Sequence, residues 1–108
     1  MTIKRITTIV PTDFLDKFEQ CLRATGVPGM TIDNVRGFGE HANYFSSDLL
    51  RSNVRIEVYI GNDRCDEVCE VICDFARETR TSAGILVVES VDWLVDLNSG
   101  SDILAASL

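Results

Sequence analysis

The residues Val54-Arg55-Ile56-Glu57-Val58-Tyr59-Ile60 alternate apolar side chains with polar or amphipathic ones without a break. Successive side chains of a strand point to opposite faces, so this run is a half-buried strand. Val54, Ile56, Val58 and Ile60 share its apolar face. Arg55, Glu57 and Tyr59 share the other, where parity alone makes Glu57 a solvated residue. A chain built around such a strand has to cover one sheet face and leave the other to water or to a partner.

Two helical stripes supply the cover. Phe14, Leu15, Phe18, Cys21 and Leu22 recur at three- and four-residue spacing up to Gly26, which predicts a helix over about 13 to 25, capped by Thr12 or Asp13. Cys65, Val68, Cys69, Ile72, Phe75 and Ala76 predict a second helix over about 64 to 78, with Gly61-Asn62-Asp63 as turn and cap. Ile3 to Val10 is β-branched and ends at Pro11, so it reads as a strand. Met30 to Phe38 reads as a strand with a phase slip near Asp33-Asn34, and Gly84 to Glu89 as a fourth. Val91 to Val95 continues it or bends into a short fifth. The order βαββαβ fits an α+β, ferredoxin-like sandwich with both helices on one face of an antiparallel sheet. Glu40 to Asn53 has no period and reads as a long loop, and the tail beyond Asn98 as loosely tied.

At 108 residues the chain holds one domain, read as 1–98 with a tail over 99–108. Its net charge of −7 opposes binding to phosphate backbones, so no nucleic-acid partner is expected. Its apolar runs are far shorter than the ~20 residues of a membrane span, so no membrane insertion is expected. The first ten residues do not read as a signal peptide, and the expected location is cytoplasmic. There the four cysteines stay reduced. Cys65, Cys69 and Cys73 follow one another by four on the second helix, and Cys21 lies on its neighbour. They read as core residues, because ligands on one straight helix diverge by roughly 40° at each four-residue step. A thiolate metal site using Cys65 and Cys69 with His41 is the alternative. His41 otherwise reads as a polar loop residue. No nucleophile stands beside a base, and no phosphate loop is recognisable, so an enzyme is not expected. Trp93 and Ile103-Leu104-Ala105-Ala106 read as an interface or a satellite of the core.

The run Gly26-Val27-Pro28-Gly29-Met30-Thr31, followed by Val35-Arg36-Gly37-Phe38-Gly39, resembles the stretch leading into the large loop of the PII signalling proteins. The order of elements around it agrees over about Ile3 to Val95. The resemblance implies a homotrimer that binds small effectors in clefts between subunits and engages a target, a membrane transporter or metabolic enzyme, through the long loop. His41, Tyr44 and Phe45 are the loop residues singled out for that contact. Exposed aromatics there are expected to move when free and to order on a partner.

By the same resemblance Gly37, Phe38 and Gly39 bring backbone amides to an effector, although glycines at a bulge and sharp exit account for them equally well. Glu57 matches the acid facing the nucleotide cleft. The phosphate-wrapping loop of the nitrogen regulators corresponds here to Glu78-Thr79-Arg80-Thr81-Ser82-Ala83-Gly84-Ile85, in which only Gly84 remains and Ile85 replaces the lysine. The two arginines after the last strand correspond to Asp96 and Asn98. Three cationic contacts are absent, each worth ~1.5–3 kcal/mol. Arg36 and Arg80 are the cations best placed to compensate. The small loop Ser82-Ala83-Gly84-Ile85 is similar to that of the SbtB and carboxysome-associated branches. That similarity implies AMP, ADP, cyclic AMP or bicarbonate as effector and no obligatory cofactor. A metal-responsive, CutA-like module is the second reading.

Overall fold

A computed structural model describes residues 2–35, 53–79 and 84–108. The elements are β1 (Ile3–Pro11), a 3-10 turn (Thr12–Phe14), α1 (Leu15–Ala24), β2 (Thr31–Val35), β3 (Asn53–Gly61), α2 (Asn62–Glu78), β4 (Ile85–Val91) and a closing 3-10 turn (Ala105–Ser107). The strands form one sheet in the order β2-β3-β1-β4, with every neighbouring pair antiparallel. This is the expected ferredoxin-like α+β arrangement.

The alternation of β3 becomes the two faces of that sheet. Val54, Ile56, Val58 and Ile60 are buried, and with Ile6 and Val10 of β1 they join Phe18 and Leu22 of α1 and Val68, Ile72 and Phe75 of α2 in one core. Phe75 meets Phe18 edge to face, with ring centroids 5.3 Å apart, and Phe14 at 6.4 Å. Such pairs contribute about 0.5–1.5 kcal/mol each beyond their burial. Arg64 on the first turn of α2 locks the other end of the helix pair. Its guanidinium donates to the Thr25 carbonyl at 2.6 Å and the Gly26 carbonyl at 3.2 Å. These acceptors follow the last turn of α1, where a cation also meets the negative end of the helix dipole.

Several local expectations are corrected. The first helix opens as a 3-10 turn directly from Pro11, and neither Thr12 nor Asp13 takes the cap position. Pro11, at φ −58° and ψ 142°, turns the chain into that helix without a side-chain cap. α2 begins at Asn62 with Gly61 as its cap residue. β2 carries no slip, because its ladder with β3 runs unbroken from Thr31↔Glu57 to Val35↔Asn53. Asn34 faces the helix side at the edge of the sheet and remains exposed, so an apolar residue is not required there. The short fifth strand expected over Val91 to Val95 does not form. β4 extends to Val91, and beyond it only an isolated bridge joins Val95 to Asp102.

The cysteine stripe fades along α2: Cys65 is buried, Cys69 half-buried and Cys73 exposed. The drift of roughly 40° per four residues carries Cys73 off the core face. The tail is also tied down. Ile103 N–H donates to the Leu94 carbonyl at 2.9 Å, Asp96 N–H to the Ser101 carbonyl at 3.0 Å, and Ala105 is buried.

Candidate functional site

Opposite the helices, the sheet presents rows of side chains set by register. Arg5 of β1 lies between Tyr59 of β3 and Glu89 of β4. One step along, Thr7 lies between Glu57 and Val87, and Thr31 of β2 faces Glu57 from the other side. A groove of about 360 Å³ crosses this open face. Glu57 and Tyr59 line it from the sheet, Pro28 to Thr31 from the approach to β2, and Leu94, Ile103 and Leu108 from the returning C-terminal segment. It is apolar except around Thr31, Glu57 and Tyr59.

The polar groups are arranged in pairs. Tyr59 donates its hydroxyl to Glu57 Oε1 at 2.8 Å. That bond, with partial burial, raises the phenol above its ordinary range, and nearby Arg5 pulls the other way. Arg5 donates to Glu89 Oε1 from Nη2 at 2.7 Å and from Nε at 3.3 Å. Glu89, then Tyr59, hold the Arg5 guanidinium above its already high range. Arg55 pairs with Asp33 across β2 and β3 at opposed register positions. These pairs are exposed enough to set geometry more than stability.

Of the residues singled out from sequence, Glu57 lies on this face with Arg55 and Tyr59, as parity required. Gly84 sits at the start of β4 with φ 145°, and a Cβ placed on it would lie 2.5 Å from the Ile9 carbonyl oxygen. Its backbone serves the packing of β4 on β1. Arg36, Gly37, Phe38, Gly39, His41, Tyr44, Phe45 and Arg80 lie outside the described residues, as does the loop from Glu40 to Arg51 and Ser52. Asp96 and Asn98 form a turn in which Asn98 N–H donates to Asp96 Oδ1 at 2.8 Å. Cys69, beside Cys65, has its thiol pushed up to about 11, mainly by burial. Among the described residues no three His, Cys, Asp or Glu side chains gather to hold a metal ion. Sequence reasoning missed Arg5, Glu89, Leu94 and Leu108 here, while Ile103, read as an interface or a satellite of the core, joins the groove wall. Ile3 and Ile9 share the parity of Arg5, so β1 shows no clean alternation, and both the face and the partners of Arg5 follow from strand pairing.

A one-sided antiparallel sheet backed by two helices defines a ferredoxin-like α+β domain. The chain belongs to the nitrogen regulatory protein P-II family, whose model matches residues 3–97. It is similar to the nitrogen regulatory protein P-II of Cereibacter sphaeroides, 25% identical over 107 residues that cover 91% of this chain and 94% of that one. The corresponding protein of Pasteurella multocida is 25% identical over 109 residues, covering 93% and 96%. The nitrogen regulatory protein GlnK of Escherichia coli K12 is 26% identical over 105 residues, covering 91% and 94%. Membership places the chain among regulatory signalling proteins rather than enzymes. No described helix is long and apolar enough to cross a membrane.

Proposed function

We propose that this protein is a cytoplasmic, homotrimeric regulator that binds a small effector between subunits beside Glu57 and reports occupancy to a transporter or metabolic enzyme through residues 40–53. The family match over residues 3–97 carries this reading, and a groove joining Glu57 to Gly29, Met30 and Thr31 supports it. The effector is AMP, ADP, cyclic AMP or bicarbonate rather than ATP. By the resemblance, Ile85, Asp96 and Asn98 correspond to positions at which the nitrogen regulators carry cations, and the Asp96 carboxylate repels a polyphosphate. By the resemblance, the amides of Gly37, Phe38 and Gly39, the cations Arg36 and Arg80, and Gly84 belong to the effector site. His41, Tyr44 and Phe45 contact the target.

Calorimetry with AMP, ADP, ATP, cyclic AMP and bicarbonate, alongside light scattering, tests the reading. Tightest binding to magnesium ATP refutes the choice of effector, and a monomer at tens of micromolar refutes a shared cleft. Tyr44→Ala with Phe45→Ala should abolish target binding and leave assembly intact. The metal-responsive reading, with Cys65, Cys69 and His41 as ligands, draws no support from a buried Cys65 and a Cys69 thiol that resists ionisation. Stoichiometric metal in anaerobically purified protein would restore it.

A further inference from the structure

Three large apolar side chains beyond β4 stand in water: Trp93 is 75% exposed, Leu97 95% and Leu104 68%. An indole and two leucines left uncovered on one short segment mark an interaction surface. The same segment, 92–108, carries Asp92, Asp96 and Asp102 and no lysine, arginine or histidine. Two hollows adjoin there. One, of about 220 Å³, lies among Ile3, Asp92 and Trp93, and the other, of about 460 Å³, lies beside Asp96, while Asp102 and Leu104 line both. Each hollow therefore has a carboxylate of its own and shares another, with Leu104 on the boundary. Trp93 Nε1 donates to Asp102 Oδ1 at 2.7 Å, which sets ring and carboxylate side by side and leaves Oδ2 to a donor from outside. Ile3 pairs with Val91 and Gly61, whereas residues 36–52 leave the sheet at its other end, where Val35 pairs with Asn53 and Asn53 with Pro11.

We propose that this end of the molecule is a second docking surface, separate from residues 40–53, for a protein segment that carries arginines among apolar residues. A guanidinium meets both demands of the smaller hollow at once, because it donates to a carboxylate and lies against an indole face. A second arginine finds Asp96 and Asp102 in the larger hollow, and the apolar residues of the segment cover Leu104. Charge selects this occupant. An identical face on a second copy brings the same carboxylates, and an anionic membrane surface is repelled as well, whereas a cationic segment neutralises them. The surface uses neither Glu57 nor an effector, so it stands independently of the effector reading.

Trp93 is the sole tryptophan, so its fluorescence, with calorimetry on the full-length protein, reports binding directly. The probe is a short synthetic peptide repeating arginine and leucine, compared with the same peptide carrying glutamate for arginine. The arginine peptide should bind, shift Trp93 emission and weaken as salt rises, and the glutamate peptide should not bind. Asp102→Asn, which keeps an acceptor for the indole, should weaken the arginine peptide about tenfold. Leu104→Ser should weaken it to a similar degree, about tenfold. Asp66→Asn removes the same charge from an exposed position on α2 and should change binding by less than about twofold. All three variants should unfold at the wild-type urea midpoint, since the side chains altered are exposed. Failure of the arginine peptide to bind, equal binding of the glutamate peptide, or an Asp66→Asn loss as large as that of Asp102→Asn overturns the proposal. So does a change of assembly state in Leu104→Ser by light scattering, which would assign the face to contacts between copies.

Discussion

Gly84→Ala perturbs both the conformation and the packing of one residue. At φ 145° the backbone occupies a region that side-chain-bearing residues rarely adopt, at a cost of about 1–3 kcal/mol. The new Cβ would also sit 2.5 Å from the Ile9 carbonyl oxygen. Backbone has to move, next to the Ile9↔Ile85 pair that ends the β1–β4 ladder. Weakening one ladder hydrogen bond adds about 0.5–1.5 kcal/mol, and the lower entropy of the unfolded alanine chain returns about 0.4–1 kcal/mol. The balance is a loss of about 2 kcal/mol. Urea unfolding followed by circular dichroism at fixed protein concentration should show the midpoint falling by about 1.3 M for a slope near 1.5 kcal/mol per molar. Gly29→Ala is the matched control, because a Cβ there meets nothing within 4 Å, and it should leave stability within about 0.5 kcal/mol. A loss below about 0.5 kcal/mol for Gly84→Ala, or equal losses for both variants, would refute the claim that the approach to β1 requires this glycine.

Arg64→Ala should lower stability by about 1–2 kcal/mol, measured by urea midpoint, because the Thr25 and Gly26 carbonyls lose their guanidinium donors; Arg64→Lys should recover part of the loss. Alkylation at pH 8 followed by mass spectrometry should label exposed Cys73 first and Cys69 far more slowly, since a thiol pushed up to about 11 supplies little thiolate. The sign for stability follows: the Cys69 contribution is full below the ordinary thiol pKa and is lost as pH rises through about 11. Tyr59 should ionise later than an ordinary tyrosine in an ultraviolet titration, and Tyr59→Phe should remove that late step. With its phenol raised, its contribution is likewise complete below the ordinary tyrosine range and disappears as pH climbs beyond it.

The elements with one clean period were legible in the sequence. The β3 alternation gave both faces of the sheet, and the stripes of α1 and α2 gave the helices, because burial alone dictates those patterns. Cys73 shows the limit of spacing arguments: three cysteines at intervals of four look equivalent on paper, while the helix carries only Cys65 fully into the core. Asn34 reads as a fault in an apolar alternation, yet an edge strand leaves that position exposed. The tail was hardest to read. Main-chain bonds and one indole-carboxylate contact hold it, and neither leaves a periodic trace. For the site, parity alone brought Glu57 to the open face. The Tyr59 donor and the Arg5–Glu89 pair emerge only once the register of three strands is known.

The placement of β1 has a consequence during synthesis. It is the second strand from one edge of the sheet, hydrogen-bonded to β3 on one side and β4 on the other, and both partners lie far downstream, at Asn53–Gly61 and Ile85–Val91. A ribosome adding roughly 5–20 residues per second leaves β1 without either partner for several seconds. During that interval Ile6 and Val10 have only α1 nearby to cover them. The nascent chain therefore passes through a stage in which a strand and a helix share apolar surface without a sheet. Pairing at β3 has to wait for the whole stretch after β2, so on the ribosome the rate of synthesis, rather than strand propensity, sets when the sheet can form.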